Sequence, residues 1–156
     1  MRKTLDRINT TMIMGLMLVM VLSALLQVFS RIVDLNTPFT EELTIYSMIW
    51  VTLFGSAYAF GVKKHISIDL LSPSLSHGNR IRLKILIEGI ILLFAFLILI
   101  YGGSRFVWIT FKLGQVSSVM HVPKGWVYLV LPLSGIITVL YGVLNIREIL
   151  KQGPVA

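Results

Sequence analysis

The stretch that decides the fold runs from Thr37 to Asp69 and reads TPFTEE (37–42), LTIYSMIWVTLFGSAYAFGV (43–62) and KKHISID (63–69). Its middle part holds no charged side chain. At about 1.5 Å per residue, a helix of that length crosses a hydrocarbon core of about 30 Å. The acidic residues before the run suit the start of a helix, and the basic residues after it suit the end. The stretch predicts a membrane-spanning helix.

The composition of the whole chain points to the same class of protein. Of 156 residues, 56% are hydrophobic and 13% are charged, and the mean hydropathy is +0.85, which is more apolar surface than a soluble domain could bury. The net charge of +7 does not indicate a nucleic-acid partner, because the basic residues cluster beside apolar runs and form no basic face. The lack of cysteine excludes disulfides, thiolate nucleophiles and cysteine metal sites.

Apolar runs recur along the chain and predict an all-α integral membrane protein with a single domain, residues 1–156. The first run is too long for a signal peptide and no A-x-A-like site follows it. Between the second and third runs, apolar and charged residues alternate in a way that predicts a short amphipathic arm lying on the membrane lipids. The four predicted transmembrane helices cover approximately residues 8–30, 40–62, 85–108 and 125–146.

The distribution of basic residues predicts the orientation. Ten Lys and Arg residues lie in the two terminal tails and the middle loop, whereas four lie in the other two loops. Because basic residues are enriched on the cytoplasmic side, both termini are predicted to be cytoplasmic, and the loops near Glu41 and His121 are predicted to lie outside.

The charged and aromatic residues near the spans allow more than one interpretation. Glu88 follows Lys84 by four residues, which favours an ion pair or a simple interfacial position over a role in carrying protons or ions. Glu41 and Glu42 suit the first turn of a helix, or else a docking contact on the outer face. Trp50 lies well inside its span, so we expect it to fill a gap between helices or subunits.

Small residues in the second span predict close helix packing. Gly55 and Ala59 form one small-xxx-small pair, and Ala57 and Gly61 form another. No predicted span carries a charge at its centre, and no catalytic motif or phosphate-binding loop is present in the sequence. These features indicate a scaffold.

Several segments together resemble the small membrane subunit, the DctQ-like subunit, of tripartite ATP-independent periplasmic (TRAP) transporters. The resemblance covers nearly the whole chain, and the four predicted spans agree with that family. The segments are FSR (29–31), FTEE (39–42), Trp50, GSAYAF (55–60), KKHISIDLL (63–71) and VMHVPKGWVYLVLP (119–132).

The resemblance implies a non-enzymatic subunit of a sodium-coupled transporter in the bacterial inner membrane. By this resemblance, a periplasmic substrate-binding protein is expected to capture an organic anion of the carboxylate or sialic acid type. A large elevator-type membrane subunit is expected to carry the substrate and sodium sites, so no cofactor is expected in this chain. The small subunit is expected to scaffold the large one and to help dock the binding protein.

The resemblance also suggests residues for these two contacts. The residues expected to pack on the large subunit are Glu42, Trp50, Gly55, Ala57, Ala59, His65 and Asp69. The residues expected to dock the binding protein are Arg31, Glu41, Lys112 and His121.

Two other classes of protein stay open at the level of sequence. A small homo-oligomeric four-helix exporter would need a polar residue lining a shared path, for which Gln27 is the candidate. A four-helix membrane enzyme would need a nucleophile or cofactor, and the loop histidines with Arg105 offer little.

Overall fold

The computed structural model describes residues 2–62 and 77–151. Four helical stretches are long and apolar enough to cross a membrane: Arg2–Ile32, Phe39–Val62, Ile81–Lys112 and Lys124–Lys151. Within the described residues there is no β-strand, only an isolated bridge between Val116 and Pro123. The predicted all-α fold with four spanning helices is therefore confirmed. The predicted amphipathic arm lies outside the described residues, as do His65 and Asp69.

The helices are numbered here in chain order, and two of the four spans are interrupted. The first two spans are α1 (Arg2–Ile32) and α2 (Phe39–Val62). The third span begins inside α3 (His77–Phe94) and continues through a π-helical segment (Ala95–Gly102) and α4 (Gly103–Lys112). The fourth comprises α5 (Lys124–Tyr128) and α6 (Val130–Lys151). The first, third and fourth spans extend beyond the predicted crossing segments, because polar and charged residues continue each helix past the apolar run.

The four spans pack in a row. Helix α2 packs against α1 and α6, and α6 also packs against the third span. Helices α2 and α6 therefore form the centre of the bundle, whereas α1 and the third span expose most of their apolar side chains. In a membrane such apolar faces suit lipid or the helices of another protein.

The two ends of the bundle differ in their connections. The end that carries residues 33–38 and 113–123 is called the hairpin end, and the opposite end, with Arg2 and Lys151, is called the termini end. At the hairpin end Thr37 donates a hydrogen bond of 2.6 Å to the Ser30 hydroxyl, and Thr40 donates one of 2.7 Å to the carbonyl of Thr37. These bonds fix the tight connection between α1 and α2.

Glycine lets the third and fourth spans approach closely. A Cβ atom added at Gly135 would lie 2.8 Å from Cβ of Leu99, and one added at Gly142 would lie 2.6 Å from Cδ2 of Leu92. Both distances are shorter than van der Waals contact, so a larger residue would push the two spans apart.

The irregular parts of these two spans lie side by side. The fourth span is interrupted at Leu129, three residues before Pro132, which has no N–H to donate. Gly103, directly after the π-helical segment, packs so closely that an added Cβ would lie 2.9 Å from Cβ of Leu131 and 3.3 Å from the Pro132 ring. The break in the fourth span therefore lies beside the end of the π-helical segment in the third span.

Candidate functional site

The connection between the third and fourth spans folds into a compact hairpin, residues 115–123. The Ser117 N–H donates to the Val122 carbonyl at 2.9 Å, and the Lys124 N–H donates to the Gln115 carbonyl at 2.9 Å. Gly114 has a φ of 60°, a conformation that glycine adopts without strain, and it turns the chain out of α4. The connection is a closed turn.

Glu42, in the first turn of α2, holds this hairpin through three hydrogen bonds. The Val119 N–H donates to Oε1 at 3.1 Å, the Met120 N–H donates to Oε2 at 3.1 Å, and the Ser117 hydroxyl also donates to Oε2. Hydrogen bonds to an ionised acceptor are stronger than those between neutral groups. Glu42 therefore fixes the hairpin to the end of the central helix α2.

The tip of the hairpin is exposed. Val119 and Met120 keep 37% and 36% of their surface accessible although their backbone N–H groups bind Glu42. His121 has a φ of 55°, which is uncommon for a residue other than glycine, and its Nδ1 lies 2.9 Å from the Val119 carbonyl oxygen. The clamp by Glu42 thus leaves the three tip side chains, Val119, Met120 and His121, available for contact.

The four residues predicted to dock a binding protein all lie at the hairpin end. Arg31 is in the last turn of α1, Glu41 is in the first turn of α2, and Lys112 is in the last turn of α4. Each is exposed, as is His121. Lys112 has its Nζ 5.1 Å from the centre of the Trp108 ring. The structure brings the four residues to one end of the molecule, and their docking role stays a prediction.

Trp50, predicted to pack on another subunit, makes its polar contact inside the chain. Its indole N–H donates to the Val127 carbonyl at 2.9 Å, and its ring meets Phe54 edge to face with 5.6 Å between ring centres. Val127 lies in the last turn of α5, two residues before the break at Leu129. Trp50 therefore joins the second span to the interrupted part of the fourth. It also lines a shallow apolar groove with Leu16, Tyr46 and Ser47.

The two small-residue pairs of α2 have different surroundings. Ala57 is 2% exposed, and Gly61, one turn later, is so close to α6 that an added Cβ would lie 2.4 Å from the Tyr141 ring. In contrast, a Cβ added at Gly55 would meet nothing within 4 Å, and Ala59 is half-exposed. The pair of Ala57 and Gly61 serves packing within this chain, and the pair of Gly55 and Ala59 is open to the surroundings.

A network of polar side chains at the termini end was not predicted. Arg2 forms an ion pair with Glu148 and also donates to the Gly61 carbonyl, so it ties α1 to both α6 and α2. The Tyr141 hydroxyl donates to Asp6 Oδ1 at 2.9 Å, and Tyr141 is fully buried. The sequence signal for this network was the presence of polar residues within the first turns of a spanning helix.

Glu88 is also part of the packing between spans. Glu88 is fully buried and accepts a hydrogen bond of 3.1 Å from Asn145 Nδ2, whereas its predicted ion pair or interfacial position stays a prediction. Asn145 belongs to α6, so this contact ties the third span to the fourth. The predicted partner Lys84 lies on Glu88's own helix, whereas this partner lies on the neighbouring span.

Several of the described polar groups connect helices. Within residues 2–62 and 77–151, no group of three or more His, Asp or Glu residues is placed to hold a metal ion. Hydrogen bonds and ion pairs instead join α1 to α2, α1 to α6, α2 to the hairpin and α3 to α6. Fold and site together define a four-span membrane protein whose polar residues hold its helices and one loop in fixed positions.

Comparison with known proteins places the chain in a family. Residues 20–152 match the family described as "Tripartite ATP-independent periplasmic transporters, DctQ component", so the chain belongs to that family. It is a multi-pass protein of the inner membrane and a component of a transporter rather than an enzyme.

A relative from Haemophilus influenzae carries the name "Putative TRAP transporter small permease protein" and is 29% identical over 100 residues. The match covers 63% of this chain and 59% of the relative, so the chain spans about three fifths of that protein's length.

Proposed function

We propose that this chain is the small permease subunit of a sodium-coupled secondary transporter for organic anions, of the carboxylate or sialic acid type. It holds a large elevator-type membrane subunit in place and helps to dock a periplasmic substrate-binding protein. The observation that carries the proposal is the family match over residues 20–152. Sodium and substrate bind the large subunit in this proposal.

The packing of the bundle supports a scaffolding role. An elevator-type carrier needs a part that stays fixed while another part moves, and a fixed part must resist bending. Here the central helix α2 is tied at the termini end by Arg2 and at the hairpin end by Glu42. Trp50 adds a third tie between the two ends.

The orientation in this proposal places the hairpin end in the periplasm. The excess of Lys and Arg lies in the tails and the middle loop, and such an excess marks the cytoplasmic side. With the hairpin end outside, Arg31, Glu41, Lys112 and His121 face the compartment in which a periplasmic binding protein diffuses.

Uptake measurements test the proposed function. Cells that lack this chain, and the same cells with the chain restored, are supplied with labelled N-acetylneuraminate, a C4-dicarboxylate and a sugar acid, in sodium or in choline medium. We expect that uptake of at least one of these anions is lost without the chain, returns with it, and requires sodium. Uptake of all three that does not depend on the chain, or restored uptake that persists in choline, would contradict the proposal.

A further inference from the structure

The hairpin lies over the outermost turn of a central helix. Glu42 is in the first turn of α2, and its carboxylate receives donors from Ser117, Val119 and Met120. Because α2 packs between α1 and α6, a loop fixed on its first turn covers the middle of the bundle's end. A soluble protein that approaches this end from the water meets the hairpin there.

The positions of two tryptophans predict that the hairpin extends beyond the headgroup layer. Trp108 and Trp126 come before and after it in the chain and are 62% and 59% exposed. Tryptophans of membrane proteins are enriched at the level of the lipid headgroups. The segment between them leaves the membrane after the first tryptophan and returns at the second, so its tip is expected in water.

The chemistry of the tip suits a protein surface. Val119 and Met120 expose apolar area next to the imidazole of His121, which can donate or accept a hydrogen bond. Methionine and mixed apolar and polar surfaces are typical of protein interfaces. The backbone bonds at the base keep this small surface in one shape, which lowers the entropy lost on binding.

We propose that Glu42 is the positioning residue that presents Val119, Met120 and His121 to the periplasmic substrate-binding protein. This inference rests on the proposed function, and it adds a residue that contacts neither substrate nor binding protein itself. We expect loss of the carboxylate to leave the four spans folded, because the hydrogen bonds to Glu42 in the described part of the chain come from the hairpin.

Glu42→Gln is the variant that tests the clamp. The amide keeps the size of the side chain, but its NH₂ group is itself a donor. It cannot accept the N–H or O–H hydrogen bonds that a carboxylate oxygen accepts at that position. Asp34→Asn is the matched control, because it removes the same charge at the same end of the molecule. Asp34 is exposed and has a φ of 58°, a conformation that asparagine also adopts.

Photo-cross-linking in the native host measures the contact. A photoreactive amino acid replaces Met120 in the otherwise unchanged chain, in the Glu42→Gln chain and in the Asp34→Asn chain. A captured soluble protein counts as the partner when an organic anion raises its melting temperature. We expect cross-linking to this protein in the unchanged and Asp34→Asn chains, and a yield lower by about tenfold in Glu42→Gln, as lost bonds to a charged group imply.

A second measurement separates failure of this inference from failure of the proposed function. Each chain carries an affinity tag, and recovery of the large membrane subunit is measured in parallel. Equal cross-linking in Glu42→Gln and in the unchanged chain, or no cross-link from position 120 while the large subunit is recovered, overturns the role of Glu42 and its hairpin. Failure to recover a large subunit with the unchanged chain would instead contradict the proposed function.

Discussion

The indole of Trp50 illustrates how one polar atom can stabilise an interrupted span. Its N–H binds the Val127 carbonyl next to the break at Leu129. Water is scarce inside a membrane, so a carbonyl freed by a helix break needs a donor from the protein. A tryptophan in a neighbouring helix supplies that donor together with a large apolar ring.

Trp50→Phe tests this contact. Phenylalanine keeps a ring against Phe54 but removes the donor, so we expect a loss of about 1 kcal/mol in stability and a lower melting temperature in detergent. Trp108→Phe is the control, because Trp108 is 62% exposed. The interpretation fails if Trp50→Phe melts with the unchanged chain, or if Trp108→Phe melts equally low.

At the scale of single residues, the sequence predicted the depth of Trp50 but not its partner. A helical period assigns residues to a face, and an uncharged run assigns them to the membrane. The hydrogen bond of Trp50 joins residues 77 positions apart, and the bonds of Glu42 to Ser117 join residues 75 apart. Such pairings depend on how the helices pack, which a local pattern does not contain.

At the scale of helices, α1 is attached to the centre of the bundle near the termini end. The Asp6 and Tyr141 contact joins it to α6, and a hydrogen bond of 3.4 Å from Asn9 to the Phe54 carbonyl joins it to α2. Because Tyr141 and Asn9 are almost completely buried, these bonds lie where water contributes little. The first turns of α1 are therefore held by polar contacts as well as by packing.

Tyr141→Phe tests how much the Asp6 contact contributes. Removal of the hydroxyl leaves a carboxylate without its donor, so we expect a loss of about 1–3 kcal/mol of stability. Amide hydrogen exchange should become faster in residues 3–12 of α1 and stay unchanged in residues 20–30. Tyr101→Phe, at a position 63% exposed, serves as the control. Equal exchange in both variants would contradict this role for Tyr141.

Helix existence could be predicted from the sequence, but helix irregularity could not. The π-helical segment Ala95–Gly102 lies within an evenly apolar run, so nothing in its local composition marks altered winding. Pro132 has a local effect on the fourth span that a sequence can show, because a missing N–H is a property of the residue itself. The contacts around the break at Leu129 come from Trp50 and Gly103, which belong to other spans.

At the scale of the whole molecule, the central helix α2 offers one face to a partner. Thr52 and Ser56 are exposed, and both hydroxyls bind carbonyls of their own helix, at 2.8 Å and 2.9 Å. With the open Gly55 and half-exposed Ala59, they form a low surface that another helix can approach closely. The helical period assigns residues of α2 to faces, but it does not say which neighbour each face contacts. Ala57, for example, is buried within this chain.

The measurement that tests the central claim most directly is affinity purification of the tagged chain from its native membrane, with native mass spectrometry of the complex. Gly55→Leu and the control Gly15→Leu are measured in parallel, because a Cβ added at either glycine meets nothing within 4 Å. We predict a stoichiometric, much larger multi-span partner with the unchanged chain and Gly15→Leu, and a several-fold lower recovery with Gly55→Leu. Recovery of homo-oligomers alone from the unchanged chain would contradict the account.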